Sequence, residues 1–167
     1  MSHSLSSMLG VGATLVLLAA CDGPSDLIDP PEGLSPSAVS ESEGIRLTLQ
    51  ADKPEYDPGE PVVLTFEVKN MTNVRQSFSF SDACQHEFSI RNGGTLVWNL
   101  GHDRMCAQAQ TSFDLEPGEV WVRSDVWDQH ANKGEPVTPG AYDAKATLTQ
   151  AGKTLDSEPL RIVIRQF

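Results

Sequence analysis

From residue 45 onward, apolar side chains recur at every second position along the chain. Ile45, Leu47 and Leu49 alternate with polar residues, and the same period returns in residues 62–68 and 142–148. Successive side chains of a β-strand point to opposite faces, so a period of two is typical of strands that bury one face. No window of 11 residues carries the 3.6-residue stripe of an amphipathic helix. The chain is therefore expected to fold as β-sheets.

About eight such segments are separated by turn sequences. Their apolar positions are Ile45 to Leu49, Val62 to Val68, Phe78 and Phe80, Phe88 and Ile90, Leu96 and Trp98, Val120 and Val122, Tyr142 to Leu148, and Leu160 to Ile164. Asp57-Pro58-Gly59, Glu116-Pro117-Gly118 and Thr138-Pro139-Gly140 place proline and glycine as a type II turn requires. This pattern predicts an all-β fold, an immunoglobulin-like antiparallel β-sandwich over residues 44–167.

The N-terminal residues have the pattern of an export signal. Residues 8–20 form an apolar run of 13 residues, whereas a membrane-spanning helix needs about 20. The run ends in Leu18-Ala19-Ala20-Cys21, which resembles the lipobox of bacterial lipoproteins. The resemblance implies that residues 1–20 are a signal peptide and that Cys21 receives a diacylglyceryl group and a fatty acid such as palmitate. The first ten residues carry no Lys or Arg, unlike a typical export signal.

Residues 22–43 are predicted to be a disordered tether. They include four Pro, five Ser, two Gly and six acidic residues, with no basic residue. Such a segment buries too little apolar surface to offset the entropy lost on ordering. Cys21 with its lipid and the tether together form the acylated segment 21–43. This segment predicts a domain anchored to a membrane of the bacterial cell envelope, on its periplasmic or extracellular face.

With Cys21 assigned to the lipid, an even number of cysteines remains, Cys84 and Cys106. An exported domain meets an oxidising compartment, so we expect a disulfide between them. An alternative interpretation takes them with His86, His102 and Met105 as copper ligands on a cupredoxin-like sandwich. The blue-copper pattern, however, places its ligands near the C-terminal hairpin, whereas these residues lie in the middle of the chain. No metal site and no cofactor are therefore predicted.

Turn and core residues of the domain form five groups. They are Glu55-Tyr56-Asp57-Pro58-Gly59-Glu60, Phe88-Ser89-Ile90-Arg91-Asn92 with Val97-Trp98, Leu115-Glu116-Pro117-Gly118-Glu119, Trp127-Asp128-Gln129, and Pro139-Gly140-Ala141-Tyr142. The first group is shared by many bacterial immunoglobulin-like modules. The four groups that follow it, within a match over roughly residues 46–149, resemble the intracellular proteinase inhibitor (BsuPI) family. The resemblance implies an immunoglobulin-like sandwich and, for the family's namesake, inhibition of a serine proteinase.

An inhibitor needs an exposed loop held in the shape that the proteinase binds, because preorganisation lowers the entropic cost of docking. The loop before Cys106 meets this requirement best in the sequence. Its Arg104 and Met105 are the predicted side chains for a proteinase specificity pocket.

The segment from Glu119 to Asp128 offers a second predicted contact. In one regular strand, Val120, Val122, Ser124 and Val126 would share one face and Trp121, Arg123, Asp125 and Trp127 the other. A β-bulge near Ser124 would return Trp127 to the core and leave Trp121 exposed as a partner contact. We favour the bulge.

The net charge and the absence of catalytic motifs in the sequence argue against several classes of function. The chain has 12 Lys and Arg against 23 Asp and Glu, a net charge of -11, which argues against binding to nucleic acid or to anionic lipid through electrostatics. No G-x-S-x-G, H-E-x-x-H, P-loop or G-x-G-x-x-G motif occurs, so no catalytic residue and no enzyme activity are predicted. The sequence predicts a protein-binding domain whose partner is a serine proteinase or another envelope protein. The alternative is a structural or envelope-assembly module without inhibitory activity.

Overall fold

The structure of the chain is a computed structural model that describes residues 35–102 and 104–166. The predicted signal peptide, Cys21 and most of the predicted tether lie outside the described residues. Within them the chain forms strands, turns and loops. None of the described residues belongs to a helix long and apolar enough to cross a membrane.

The described residues form twelve strands, against the eight or so predicted. They are β1 (Ser37–Ser42), β2 (Ile45–Ala51), β3 (Glu55–Tyr56), β4 (Val62–Asn70), β5 (Gln76–Phe80), β6 (His86–Asn92), β7 (Thr95–Asn99), β8 (Thr111–Leu115), β9 (Val120–Trp127), β10 (Gly140–Gln150), β11 (Lys153–Asp156) and β12 (Leu160–Ile164). The four strands that sequence periodicity missed are β1, β3, β8 and β11, which are short or largely polar. The predicted all-β, immunoglobulin-like sandwich is confirmed.

Two main sheets and one ribbon build the sandwich. One sheet has the strand order β1-β2-β4-β9, and the other has the order β3-β12-β10-β6-β7 with β11 also paired to β10. Strands β5 and β8 form a separate two-stranded ribbon. Neighbouring strands are antiparallel, except that β3 runs parallel to β12.

The core lies between the two sheets. Buried and less buried residues alternate along β2, β4 and β10, as the period of two requires. Phe66 of β4 is fully buried and meets Phe88 of β6 edge-to-face, with ring centroids 6.4 Å apart. Trp127 of β9 makes a similar contact with Tyr142 of β10 at 5.6 Å. These aromatic contacts join the two layers.

Two of the three predicted Pro-Gly turns form as expected. Gly59 and Gly118 adopt φ angles of 79° and 80°, the left-handed conformation that position i+2 of a type II turn demands. Each turn is closed by an i to i+3 backbone hydrogen bond, from Glu60 N to Asp57 O and from Glu119 N to Glu116 O, both at 3.0 Å. The third predicted turn instead leads directly into β10, which begins at Gly140.

Strand β1 lies inside the segment predicted to be disordered, so the prediction was wrong for residues 37–42. This strand pairs with β2 over its whole length, from Ser37 opposite Gln50 to Ser42 opposite Ile45. An edge strand receives its backbone hydrogen bonds from one neighbour and needs few apolar side chains. The Ser- and Glu-rich composition that indicates a tether therefore also suits a solvated sheet edge.

Candidate functional site

A disulfide closes the loop that follows β7. Cys84 and Cys106 are bonded, with Cα atoms 5.5 Å apart, within the usual range for a disulfide. Two hydrogen bonds support the bridge: Ala83 N donates to the backbone of Ala107 at 3.1 Å, and Cys84 N donates to the side chain of Asp82, at Oδ1, at 2.8 Å. The loop between β7 and Cys106, called the Cys106 loop below, is therefore fixed at its C-terminal end.

The other end of the Cys106 loop is tied to β6. Leu100 N donates to Phe88 O at 2.9 Å, and Gly101 N donates to the carboxylate of Glu87 at 2.9 Å. At Gly101 an added Cβ would lie 2.4 Å from the Glu87 carboxylate, so a larger residue would force the Glu87 side chain to shift. Both ends of the loop are thus held by the sandwich.

The two predicted contact residues lie on the outer side of this braced loop. Met105 is 99% exposed, and Arg104 is exposed beside it. This methionine is available to a partner without rearrangement of the domain. The structure therefore presents Arg104 and Met105 together at the surface.

Beneath the loop lies a buried histidine, His86, at the start of β6. Its ring packs edge-to-face against Trp121 and Phe88, with centroid distances of 5.7 and 5.5 Å. The Nε2 atom is buried and has no hydrogen-bond partner in the described structure. Burial, followed by the positive charges of Arg104 and Arg123, lowers the pKa of His86 to about 4, although the Asp125 carboxylate opposes this shift. The imidazole is therefore neutral at pH 7.

The prediction that Trp121 is an exposed partner contact was wrong. Trp121 is 9% exposed and stacks on Phe113, with ring planes 8° apart. Trp127 is fully buried, as predicted, but without a bulge near Ser124, because β9 pairs with β4 in unbroken register from Val120 to Trp127. Both tryptophans therefore share one inward face of a regular strand.

The opposite face of β9 carries exposed valines instead. Val120, Val122 and Val126 are between 40% and 50% exposed, and Val63 of the neighbouring β4 lies opposite Val126 and is 37% exposed. The sequence-based interpretation, which placed Val120 and Val122 in the core, had the two faces of this strand reversed. The result is an apolar stripe along the last strand of its sheet.

The copper interpretation does not fit the geometry. Both cysteines are consumed by the disulfide, so neither offers a thiolate, and His86 faces an aromatic cluster. Among the residues that the structure describes, no three His, Cys, Asp or Glu side chains are grouped as a metal ion would require.

A polar cleft of about 400 Å³, which the sequence did not reveal, lies beside the Cys106 loop. Trp98, His102, Asp128 and His130 are among its lining residues. It forms because Asn132 bridges distant segments: its amide donates to Asn99 Oδ1 at 2.7 Å. Such a contact, 33 residues apart in sequence, leaves no local signal.

The geometry defines a class of protein: an immunoglobulin-like sandwich that presents a disulfide-braced loop with exposed side chains. Within that class, the chain belongs to the intracellular proteinase inhibitor (BsuPI) family, whose profile matches residues 49–153. The matched range includes the Cys106 loop and both bonded cysteines. No curated protein matches the chain.

Solved structures with a similar fold come from several kinds of protein. The sporulation control protein Spo0M of Bacillus subtilis superposes with a TM-score of 0.49 at 20% identity, over 75% of this chain and 51% of that protein. The C-terminal domain of wzt gives 0.48 at 11% identity, over 83% and 81% of the two chains. The β-glucosidase EmGH1 of Erythrobacter marinus gives 0.43 at 17% identity, over 76% of this chain. The chain spans only 16% of that β-glucosidase and about half of Spo0M.

Proposed function

We propose that this chain is a non-catalytic proteinase inhibitor that docks the Cys106 loop against a serine proteinase. Membership of a family described as intracellular proteinase inhibitor is the observation that carries the proposal. The braced loop supplies a physical means, because the proteinase would meet a segment whose two ends are already fixed.

Two features of the loop favour tight docking. The disulfide and the hydrogen bonds to β6 reduce the conformational entropy that binding would otherwise remove. Met105, being 99% exposed, gains the full transfer free energy of a buried methionine, roughly 1.5 to 3 kcal/mol, when it enters a pocket. Arg104 beside it adds a cation for a proteinase that prefers basic side chains.

Titration of the full-length chain against subtilisin-like and trypsin-like serine proteinases tests this proposal. We expect stoichiometric inhibition of at least one enzyme. Met105→Asp should weaken that inhibition about 10-fold or more, because a charged side chain opposes burial in an apolar pocket. Arg104→Gln tests the second contact in the same way.

Val74→Asp is the matched control, because Val74 is a 56% exposed apolar residue outside the Cys106 loop. It should leave inhibition unchanged. If no proteinase in the panel is inhibited, the proposal fails, and a structural or envelope-assembly role becomes the better explanation.

The proposed location is the bacterial cell envelope, with the chain anchored through lipid on Cys21. This part rests on the sequence alone, on the lipobox-like Leu18-Ala19-Ala20-Cys21. Several acyl chains, each methylene contributing about 0.8 kcal/mol on burial, would hold the domain at a membrane. Labelled palmitate should be incorporated into the chain in a bacterial host and lost in Cys21→Ala. Equal labelling of both forms, or of neither, would contradict the anchor.

A further inference from the structure

The sequence of β9 is complementary to itself when two copies run in opposite directions. From one tryptophan to the other it reads Trp121-Val122-Arg123-Ser124-Asp125-Val126-Trp127. Reading it backwards returns the same residues, except that Arg123 and Asp125 exchange places. Antiparallel pairing sets a strand against the reversed order of its neighbour. A pair of these strands therefore matches tryptophan with tryptophan, valine with valine and cation with anion.

Strand β9 has an open edge at which such pairing can occur. It is the last strand in the order β1-β2-β4-β9. The backbone of Val63 in β4 is turned away from β9, because its C=O accepts from Asp52 N at 3.1 Å and its N–H donates to Asp52 Oδ1 at 2.9 Å. Val63 and Val126 are therefore a non-hydrogen-bonded pair, and the backbone groups of Val126 face the open edge.

By the alternation of an antiparallel ladder, the backbone groups of Val122 and Ser124 face the same edge. Two of these outward groups are capped by adjacent side chains. Arg123 Nη1 donates to Val122 O at 2.8 Å, and Val126 N donates to Asp125 Oδ1 at 2.9 Å. The capped groups are thus one acceptor and one donor, placed symmetrically about Ser124.

We propose that two copies of this chain associate by antiparallel pairing of β9, with the twofold axis at Ser124. In this register Val122 lies opposite Val126 of the second copy. The Val122 C=O then accepts from the Val126 N–H, so the two groups that are capped in the monomer satisfy each other. Arg123, released from its cap, lies opposite Asp125 of the second copy and forms an ion pair with it.

The exposed valines also favour a second copy of this chain as the partner of β9. Val122 and Val126 are 43% and 50% exposed, and in the proposed register each covers the other across the axis. Val63, which lies beside Val126 on the neighbouring β4 and is 37% exposed, extends the apolar stripe in each of the two copies. An unrelated strand would not reproduce both the valine match and the charge match, and this complementarity identifies a second copy as the occupant. With only one strand from each chain, the interface is small, and a reversible dimer is expected.

Charge reversal tests the register. In a dimer of full-length chains with Arg123→Asp, both positions where Arg123 and Asp125 faced each other would hold two acidic side chains. In a dimer of chains with Asp125→Arg, both positions would hold two basic side chains. Each variant alone should dimerise about 10-fold more weakly than the parent chain, because like charges directly opposite destabilise a strand pair. An equimolar mixture of the two variants restores opposite charges at every position and should recover dimers. Sedimentation equilibrium of the chains in one detergent buffer gives the masses, and circular dichroism confirms that each variant is folded.

Cross-linking provides a second measurement. Ser124→Cys should yield a disulfide-linked dimer on mild oxidation of the full-length chain, because the two copies of residue 124 meet at the axis. Thr65→Cys is the matched control: Thr65 lies on the same face with its Oγ1 2.9 Å from Ser124 Oγ, but one strand further from the edge. It should cross-link no more than the parent chain.

A mixture of the two charge variants that stays monomeric, or equal cross-linking at residues 65 and 124, would overturn the proposal. Neither result depends on whether the Cys106 loop inhibits a proteinase.

Discussion

Two loops of this domain are anchored by different means, and they differ in what they leave exposed. The loop after β9 is anchored by Gln129, which is 2% exposed and has a φ of 60°. Its amide accepts from Gly59 N at 2.8 Å and donates to Asp57 O at 2.9 Å and to Glu60 O at 2.6 Å. The Cys106 loop is anchored by the disulfide at one end and, at the other, by hydrogen bonds to β6, one of them to the Glu87 carboxylate. Arg104 and Met105 therefore remain free for a partner, whereas every polar atom of the Gln129 amide serves the fold.

Replacing the buried amide should cause the largest loss of stability. Gln129→Leu removes three hydrogen bonds to the turn at residues 57–60, where only Asp57 O keeps another donor, Glu60 N. We expect the unfolding free energy to fall by roughly 3 to 4 kcal/mol. Urea denaturation measures the change. Gln108→Leu, an exposed glutamine just beyond the Cys106 loop, is the control and should stay within about 0.5 kcal/mol. A loss below about 1 kcal/mol in Gln129→Leu would show that this anchor is dispensable.

Removing the covalent anchor should have the next largest effect. The double substitution Cys84→Ala and Cys106→Ala frees a loop with a sequence separation of 22 and should lower the unfolding free energy by about 3 kcal/mol. Limited proteolysis should then cut within the Cys106 loop and not within the loop after β9. Alkylation of the unreduced parent chain should label neither Cys84 nor Cys106, and labelling of both would refute the bridge.

The unpartnered His86 imidazole beneath the Cys106 loop makes stability depend on pH. Its pKa is about 4 in the folded state against 6.5 ordinarily, so the unfolded chain takes up the proton first as the pH falls. The contribution of His86 to stability is therefore complete above pH 6.5 and should decline by about 3 kcal/mol as the pH falls toward 4. His86→Phe keeps an aromatic ring in the cluster and should remove this decline. His130→Gln, at a histidine whose side chain is 44% exposed, is the control, and a decline that persists unchanged in His86→Phe would contradict the assignment.

The smallest effect on stability is expected at the tip of the Cys106 loop. Met105→Ala should change the unfolding free energy by less than about 0.5 kcal/mol, because the side chain is 99% exposed and packs on nothing that its loss would uncover. The same variant should nevertheless weaken proteinase inhibition. A clear loss of stability would instead place Met105 among the residues that hold the fold.

The fold could be predicted from sequence because period-two burial, two of the Pro-Gly turns and the cysteine pair are local signals. Strand β9 shows the limit of that reasoning. Both of its faces carry large apolar residues. The periodicity therefore predicts a strand but does not indicate which face turns inward. The larger rings of Trp121 and Trp127 bury more surface than the valines do, and they occupy the core.

The surroundings of the Cys106 loop could not be predicted in the same way. Its ties to Glu87 and Phe88, and the cleft bridged by Asn132 and Asn99, join residues that are distant in sequence and have no motif in common. Residues Arg104 and Met105 could be named only because they precede a cysteine. Their exposure, and the buried histidine beneath them, required the three-dimensional structure.

Strand β1 determines how mechanical load enters this domain. Among the described strands, β1 is the first to bear a pull on the chain from its N-terminal side, and a lone edge strand is easily peeled from its neighbour. Here β1 is also fastened to the other layer: Ser40 Oγ donates to Asp156 O at 3.0 Å, and Glu43 after the strand pairs with Lys153. Tension applied at the N-terminus is thus shared between both layers of the sandwich.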